Sequence, residues 1–187
     1  MNILILSGNP KTDGLCQSVI DAVSAGAGEG GANVEEIRLC DMKMIRCAVC
    51  DDGWGICKAQ HVCLYGKDGF QTVSDKIEAA DAVVIATPVY WWEVSEALKS
   101  FMDRFRRCNF GTNGRMSGKQ VLLVASAGGT GNGIVGCFKQ LESFCQHTSA
   151  VVFDFIAINR WNNDYKRIAA YEAAKALGGG RKNDDTI

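Results

Sequence analysis

The chain has 187 residues, 22% of them charged, with a formal net charge of −1. That length fits one domain whose core needs no disulfide staples, and the balanced charge argues against a nucleic-acid binder, which presents a basic face. No apolar run approaches the roughly 20 residues of a membrane span, and the opening MNILILSG is too short for a secretory signal, so the expected location is the cytoplasm, where cysteines stay reduced unless they bind metal or do redox chemistry.

Asn2 to Ser7 is a nearly unbroken apolar run and predicts a strand buried on both faces. The turn that follows, SGNPKTDGLCQS, is small and polar and opens a helix predicted over Gln17 to Gly28, with Val19, Ile20 and Val23 on one face. Backbone N–H groups at such a turn, together with the positive end of the helix, make an anion cradle. Ser7, Asn9 and Ser18 can add hydrogen bonds and Lys11 a positive charge. The ATP-binding loop is excluded, because Gly8 and Gly14 are wrongly spaced and no Lys-Ser follows. An ordinary turn is the bland alternative.

Val34 to Leu39 predicts a second strand, polar enough for an edge. Cys40 to Gly69 is irregular, and long ordered loops tend to be functional. Within it, Cys47, Cys50, Cys57 and Cys63 stand at gaps of two, six and five residues. Four thiolates suit a 4Fe–4S cluster or zinc, and metal-free cysteines are the third possibility. Nine cysteines in all cannot pair completely within one chain.

A helix is predicted over Phe70 to Ala80 and a third strand over Asp81 to Thr87. The strand runs into TPVYWWEVS, where Pro88 bends the chain and Tyr90, Trp91 and Trp92 stand in a loop. Aromatics there suit a flat conjugated ligand, a packing corner or a subunit contact. Ser95 starts the next helix, which aligns Leu98, Phe101, Met102 and Phe105. Arg104, Arg106 and Arg107 close it, as the helix dipole prefers.

A fourth strand over Gln120 to Ser126 leads into SAGGTGNG, whose glycines let backbone approach a ligand. Gly131 to Gly136 matches the dinucleotide fingerprint G-x-G-x-x-G, but its first glycine stands too far past the strand. A helix over Ile134 to Gln146, a strand over Ala150 to Ile158 and a helix over Asp164 to Leu177 follow. Residues 179–187 are expected to form a disordered tail after a single domain over 1–178. Cys108, Cys137 and Cys145 suit small buried positions, and Cys40 has no evident role. Cys16, at a helix start, is expected to have a lowered pKa. His61 and His147 have no partner that the sequence can place beside them, so a hydrolytic triad has little support.

Strand and helix alternate five times, which implies α/β architecture: a doubly wound five-stranded parallel sheet, flavodoxin-like order 2-1-3-4-5, with helices on both faces. Ligands in such folds bind beyond the carboxyl ends of the strands, where the three loops would meet. Gly8-Asn9-Pro10-Lys11-Thr12-Asp13-Gly14-Leu15-Cys16, the segment ADAVVIATPVYWWEVSEALKSFMDR and the run from Gly118-Lys119 to Gly131 resemble the NADPH-dependent FMN reductase and iron–sulfur flavoprotein family.

The resemblance implies FMN, with its phosphate on Ser7, Asn9, Lys11, Gly14, Leu15 and Cys16. It places the ring along Pro88, Val89, Tyr90 and Trp91, with Gly128, Gly129 and Thr130 at its far edge. Leu15 and Cys16 replace the family's Asn-Thr, Asn9 its Ser and Lys11 its Arg, which loses a bidentate fork. The implied activity takes electrons from NADPH or NADH to a quinone, a nitro- or azo-aromatic, flavin or a ferric species. The flavin does the chemistry, with no protein nucleophile. The alternative is an electron carrier joining FMN, a 4Fe–4S cluster on the four loop cysteines and a ferredoxin-like partner. A homodimer or homotetramer is expected.

Overall fold

A computed structural model describes residues 1–111 and 114–180. Five parallel strands form one sheet in the order β2-β1-β3-β4-β5: β1 (Asn2–Ser7), β2 (Asn33–Arg38), β3 (Ala82–Pro88), β4 (Gln120–Ala127) and β5 (Val151–Asn159). The central strands β1, β3 and β4 are buried almost throughout, so they read as unbroken apolar runs. The edge strands β2 and β5 carry exposed residues.

Side chains of a strand alternate between faces, and here this splits the core in two. Leu4, Leu6, Val83, Ile85 and Leu123 join the buried faces of α3 (Phe70–Ala79), α4 (Glu96–Cys108) and α5 (Ile134–His147). Ile3, Ile5, Val84, Leu122 and Val124 face α1 (Gly14–Glu29) and α6 (Asn163–Gly178). α1 and α6 touch backbone to backbone. A Cβ on Gly26 would run into the Tyr171 carbonyl, and one on Gly178 would lie 2.6 Å from the Ala27 oxygen.

The expected order and strand positions agree with this sheet to within about a residue at each end. α1 begins three residues earlier than its apolar face predicts: its first turn buries Cys16, ahead of the Val19, Ile20 and Val23 stripe that marks the helix in the sequence. The one-turn α2 (Cys57–Gln60) inside the cysteine loop was not expected; a single turn shows no periodicity to read. The tail expected from residue 179 lies, from 181 onward, outside the described residues, and α6 is still capped there: Gly179 N donates to Lys175 O at 2.9 Å and Gly180 N to Leu177 O at 3.3 Å.

Candidate functional site

Each strand feeds a helix that returns antiparallel to it, so every principal helix starts at the carboxyl edge of the sheet. Three loops meet on that rim. Gly8 N donates to Ala86 O at 2.8 Å, tying the loop after β1 to β3. Val89 N donates to Ser126 O at 2.8 Å, tying the loop after β3 to β4. Gly8 must be glycine: a Cβ there would stand 2.5 Å from Ser95 Oγ, at the N-cap of α4.

In the first loop, Ser7 and Asn9 are buried and shape the turn. Ser7 Oγ accepts from Asn9 N, Asn9 Oδ1 accepts from Lys11 N, and Asn9 Nδ2 donates to Gln17. Lys11 is exposed, Leu15 packs partly buried against the core beneath α1, and Ser18 donates its hydroxyl to Leu15 O. No side chain caps the start of α1, and its first turn holds no acidic residue. Cys16 departs from expectation. Burial pushes its thiol up to about 11, against a hydrogen bond with Ser126, because at this helix start desolvation outweighs the dipole. It is therefore a packed thiol, not an activated one.

The second loop is a tight turn. Tyr90 and Glu93 exchange both backbone hydrogen bonds, at 3.0 and 2.9 Å. Trp91 and Trp92 occupy its two central positions at φ 52° and 66°, as in a type I′ turn, which normally takes Asn-Gly. Trp91 is 89% exposed and stands on the rim. Trp92 leans on the start of α5, where a Cβ on Gly133 would lie 2.9 Å from its Cα and one on Gly136 would lie 2.9 Å from its carbonyl oxygen. Two glycines of the G-x-G-x-x-G match thus seat the tryptophan turn.

In the third loop, Gly128 and Gly129 have open space where a Cβ would stand, as does Gly14 across the rim. Arg160, just past β5, donates from Nε and Nη2 to Gly128 O at 3.2 and 2.9 Å and braces the loop. A groove of about 440 Å³ lies between the first two loops, lined by Gly8, Pro10, Cys40, Met42, Met44 and Tyr90 among others.

The cysteine loop folds over α4. Arg104, only 2% exposed, holds it at four points: Ile45 O at 2.9 Å, Asp68 Oδ2 at 2.8 Å, Tyr65 O at 3.0 Å and Cys63 Sγ at 3.3 Å. Burial raises the Asp68 carboxyl, but Arg104 and the N–H groups of Ile45 and Phe70 together hold it below its ordinary value. Arg104 was expected to serve the helix dipole; its burial turns it to this clamp instead. Cys47, Cys50, Cys57 and Cys63 line one cavity of about 30 Å³. The donors suit a soft metal or iron–sulfur cluster. Among the described residues, however, no three or more His, Cys, Asp or Glu residues are grouped to hold a metal ion. The four sulfurs share a cavity without converging.

A family model for NADPH-dependent FMN reductase matches residues 1–163. The chain belongs to that family. Within and around the NADPH-dependent FMN reductases, it is 29% identical over 136 residues to an iron–sulfur flavoprotein of Methanosarcina thermophila, a match that covers 71% of this chain and 66% of that protein. Against the curated iron–sulfur flavoproteins it matches, the chain spans between 45% and 66% of their length. Its fold is that of an NAD(P)H:quinone oxidoreductase from Methanothermobacter marburgensis, with a TM-score of 0.68 at 19% identity over 96% of each chain. It is also that of an FMN-dependent NADH-azoreductase from Bacillus anthracis, with a TM-score of 0.69 at 15% identity over 95% of this chain and 98% of the other.

The loops that carried the family resemblance are those that meet on the rim. Sequence reasoning missed Arg160 and the seat of Trp92. Arg160 follows the last strand, far in sequence from the other loops, and no motif marks it. The glycines were noticed, but their partner was not.

Proposed function

We propose that this chain binds FMN on the rim and passes electrons from NADPH or NADH to a small acceptor such as a quinone, a nitro- or azo-aromatic, flavin or a ferric species. The observation that carries this reading is the convergence of three loops around bare backbone: Gly14, Gly128 and Gly129 leave room for a ligand, and the start of α1 is uncapped. Membership of the FMN reductase family supports it.

In this reading the first turn of α1 and Lys11 hold the phosphate, with the backbone N–H groups bearing most of the load. Pro88, Val89, Tyr90 and Trp91 flank the ring on one side, and Gly128, Gly129 and Thr130 approach it from the other. Bound FMN supplies hydride acceptance and release at its N5. The chain's own work is to bind, orient and exclude water. Exposed Trp161, Tyr165 and Ile168 offer an apolar face for a homodimer or homotetramer.

The test is anaerobic purification with FMN, followed by absorbance spectra and by NADPH and NADH oxidation with a quinone and an azo dye. Flavin bands at one FMN per chain and FMN-dependent oxidation of the nicotinamide are expected. Colourless protein that takes up no FMN overturns the reading. The second reading, an electron carrier with a 4Fe–4S cluster and a ferredoxin-like partner, is favoured by one observation: all four loop cysteines line a common cavity. Iron and sulfide near four per chain would support it, and flavin bands without iron would exclude it.

A further inference from the structure

The groove of about 440 Å³ between the first two loops has the volume of a small-molecule site, for which about 300–1,000 Å³ is usual. It is separate from the bare glycines of the rim, since none of Gly14, Gly128 and Gly129 lines it. Its walls come from the Gly8–Pro10 turn, the chain leaving β2 and the first turns of α4. Pro10, Met42, Met44 and Ala97 make it mainly apolar. Met42 and Met44 are half-buried, with one side packed on the core, and their thioethers are good surfaces for an aromatic ring. Tyr90 is a further wall, and in the FMN reductase reading it also flanks the ring.

One charge enters this groove. Glu96, exposed in the first turn of α4, lines it, and among the described residues no Lys or Arg does. The helix start is already capped by Ser95 Oγ, which accepts from Leu98 N at 3.5 Å. Lys99, three residues on, pairs with Asp103 at 2.6 Å instead. Among the described residues the Glu96 carboxylate has no hydrogen bond or ion pair, so it is left to a ligand. A carboxylate at an apolar groove repels anions and accepts from a hydroxyl or an ammonium. Cys40 also lines the groove. Its thiol donates to Gly8 O at 3.8 Å, and partial burial raises its pKa, so it stays a thiol; addition to a quinone ring needs the thiolate.

We propose that this groove seats the electron acceptor and that Glu96 selects it by charge: a neutral or cationic quinone is taken and an anionic one is rejected. Pro10, Met42, Met44 and Tyr90 hold the flat ring, and the Glu96 carboxylate accepts from a hydroxyl of the reduced product. The quinone gains a hydride equivalent from NADPH or NADH and one proton from solvent. Both its carbonyl oxygens become hydroxyls, and the nicotinamide leaves oxidised. The proposal rests on the FMN reductase reading for the source of the electrons, whereas the charge preference belongs to the groove alone.

Glu96→Gln and Ser100→Phe in the full chain test it. The first removes the charge, and the second fills the groove, which Ser100 also lines. Dissociation constants for a neutral naphthoquinone and for its sulfonate are measured by calorimetry without nicotinamide, and KM for both compounds and for NADPH in turnover. The wild type is expected to prefer the neutral compound. Glu96→Gln is expected to shrink that preference about fivefold, the factor one unit charge exerts at contact in water, by tightening the sulfonate alone. Ser100→Phe is expected to weaken both compounds several-fold and to leave FMN retention and the KM for NADPH unchanged. No preference in the wild type, or the same preference in Glu96→Gln, overturns the proposal. Loss of FMN from Ser100→Phe with an unchanged far-UV circular dichroism spectrum also overturns it, because the flavin itself would then fill the groove. If the wild type takes up no FMN, the reductase reading fails separately, and the two naphthoquinone dissociation constants on wild type and Glu96→Gln still decide the proposal.

Discussion

The tryptophan turn shows most clearly what single residues contribute. A bulky residue at positive φ is strained by about 1–3 kcal/mol, and Trp91 gains little burial in return, being 89% exposed. Stability alone would place glycine there, so the ring is held out on the rim at a cost. Replacing Trp91 with Gly should raise stability by about 1 kcal/mol, the relieved strain less the added backbone entropy of glycine, while weakening FMN binding or acceptor turnover. Thermal melts beside FMN titrations check this; a lower Tm, or unchanged flavin and acceptor kinetics, would count against a functional role for the ring. Cys16 teaches the opposite lesson. Its position at a helix start suggested a reactive thiol, but burial against the sheet raises its pKa, and burial is not visible in local sequence.

At the scale of elements, α5 and the tryptophan turn depend on each other. Gly136 lies inside α5, where Ala would ordinarily stabilise a helix by about 1 kcal/mol. Here the added Cβ would come 2.9 Å from the Trp92 carbonyl oxygen, and backbone cannot swing aside as a long side chain can. The clash should win. Gly136→Ala is expected to lower Tm, alter near-UV circular dichroism from the tryptophans and weaken FMN retention. A higher Tm with an unchanged spectrum would show that Gly136 does not seat the turn. The same reasoning gives the literal G-x-G-x-x-G match a packing role, since two of its glycines admit Trp92 closely. Glycine spacing records close approach, but not by which partner.

For the whole molecule, the two-sided core makes a pH-dependent prediction. Burial raises five thiols from an ordinary value of 9.0: Cys40, Cys16 to about 11, and Cys108, Cys137 and Cys145 to about 12. Between these limits the folded chain keeps protons that the unfolded chain releases. Stability is therefore full below about pH 9 and falls as pH rises, each of the four core thiols contributing up to about 1.4 kcal/mol per pH unit. Denaturant melts from pH 8 to 11 should show this decline, and Cys137→Ala should make it shallower. Equal slopes for variant and wild type would mean that Cys137 ionises alike in both states.

The sheet and its order were legible in the residues alone, because β1, β3 and β4 are apolar runs of strand length separated by helical periodicities, and parallel crossovers allow few arrangements. So were the three loops of the rim, since β–α turns must lie at the strands' carboxyl ends. Packing alone settles which atoms are left over once the chain folds upon itself. Ser7 and Asn9 are engaged within their own turn, Cys16 is buried, and Arg104 is turned inward to clamp the cysteine loop. Arg160, from the last β–α connection, and Arg167, from α6, are carried to the side of α1. Helix and strand patterns are set by neighbours a few residues apart, whereas burial, ion pairing and shared cavities are set by residues that folding alone brings together.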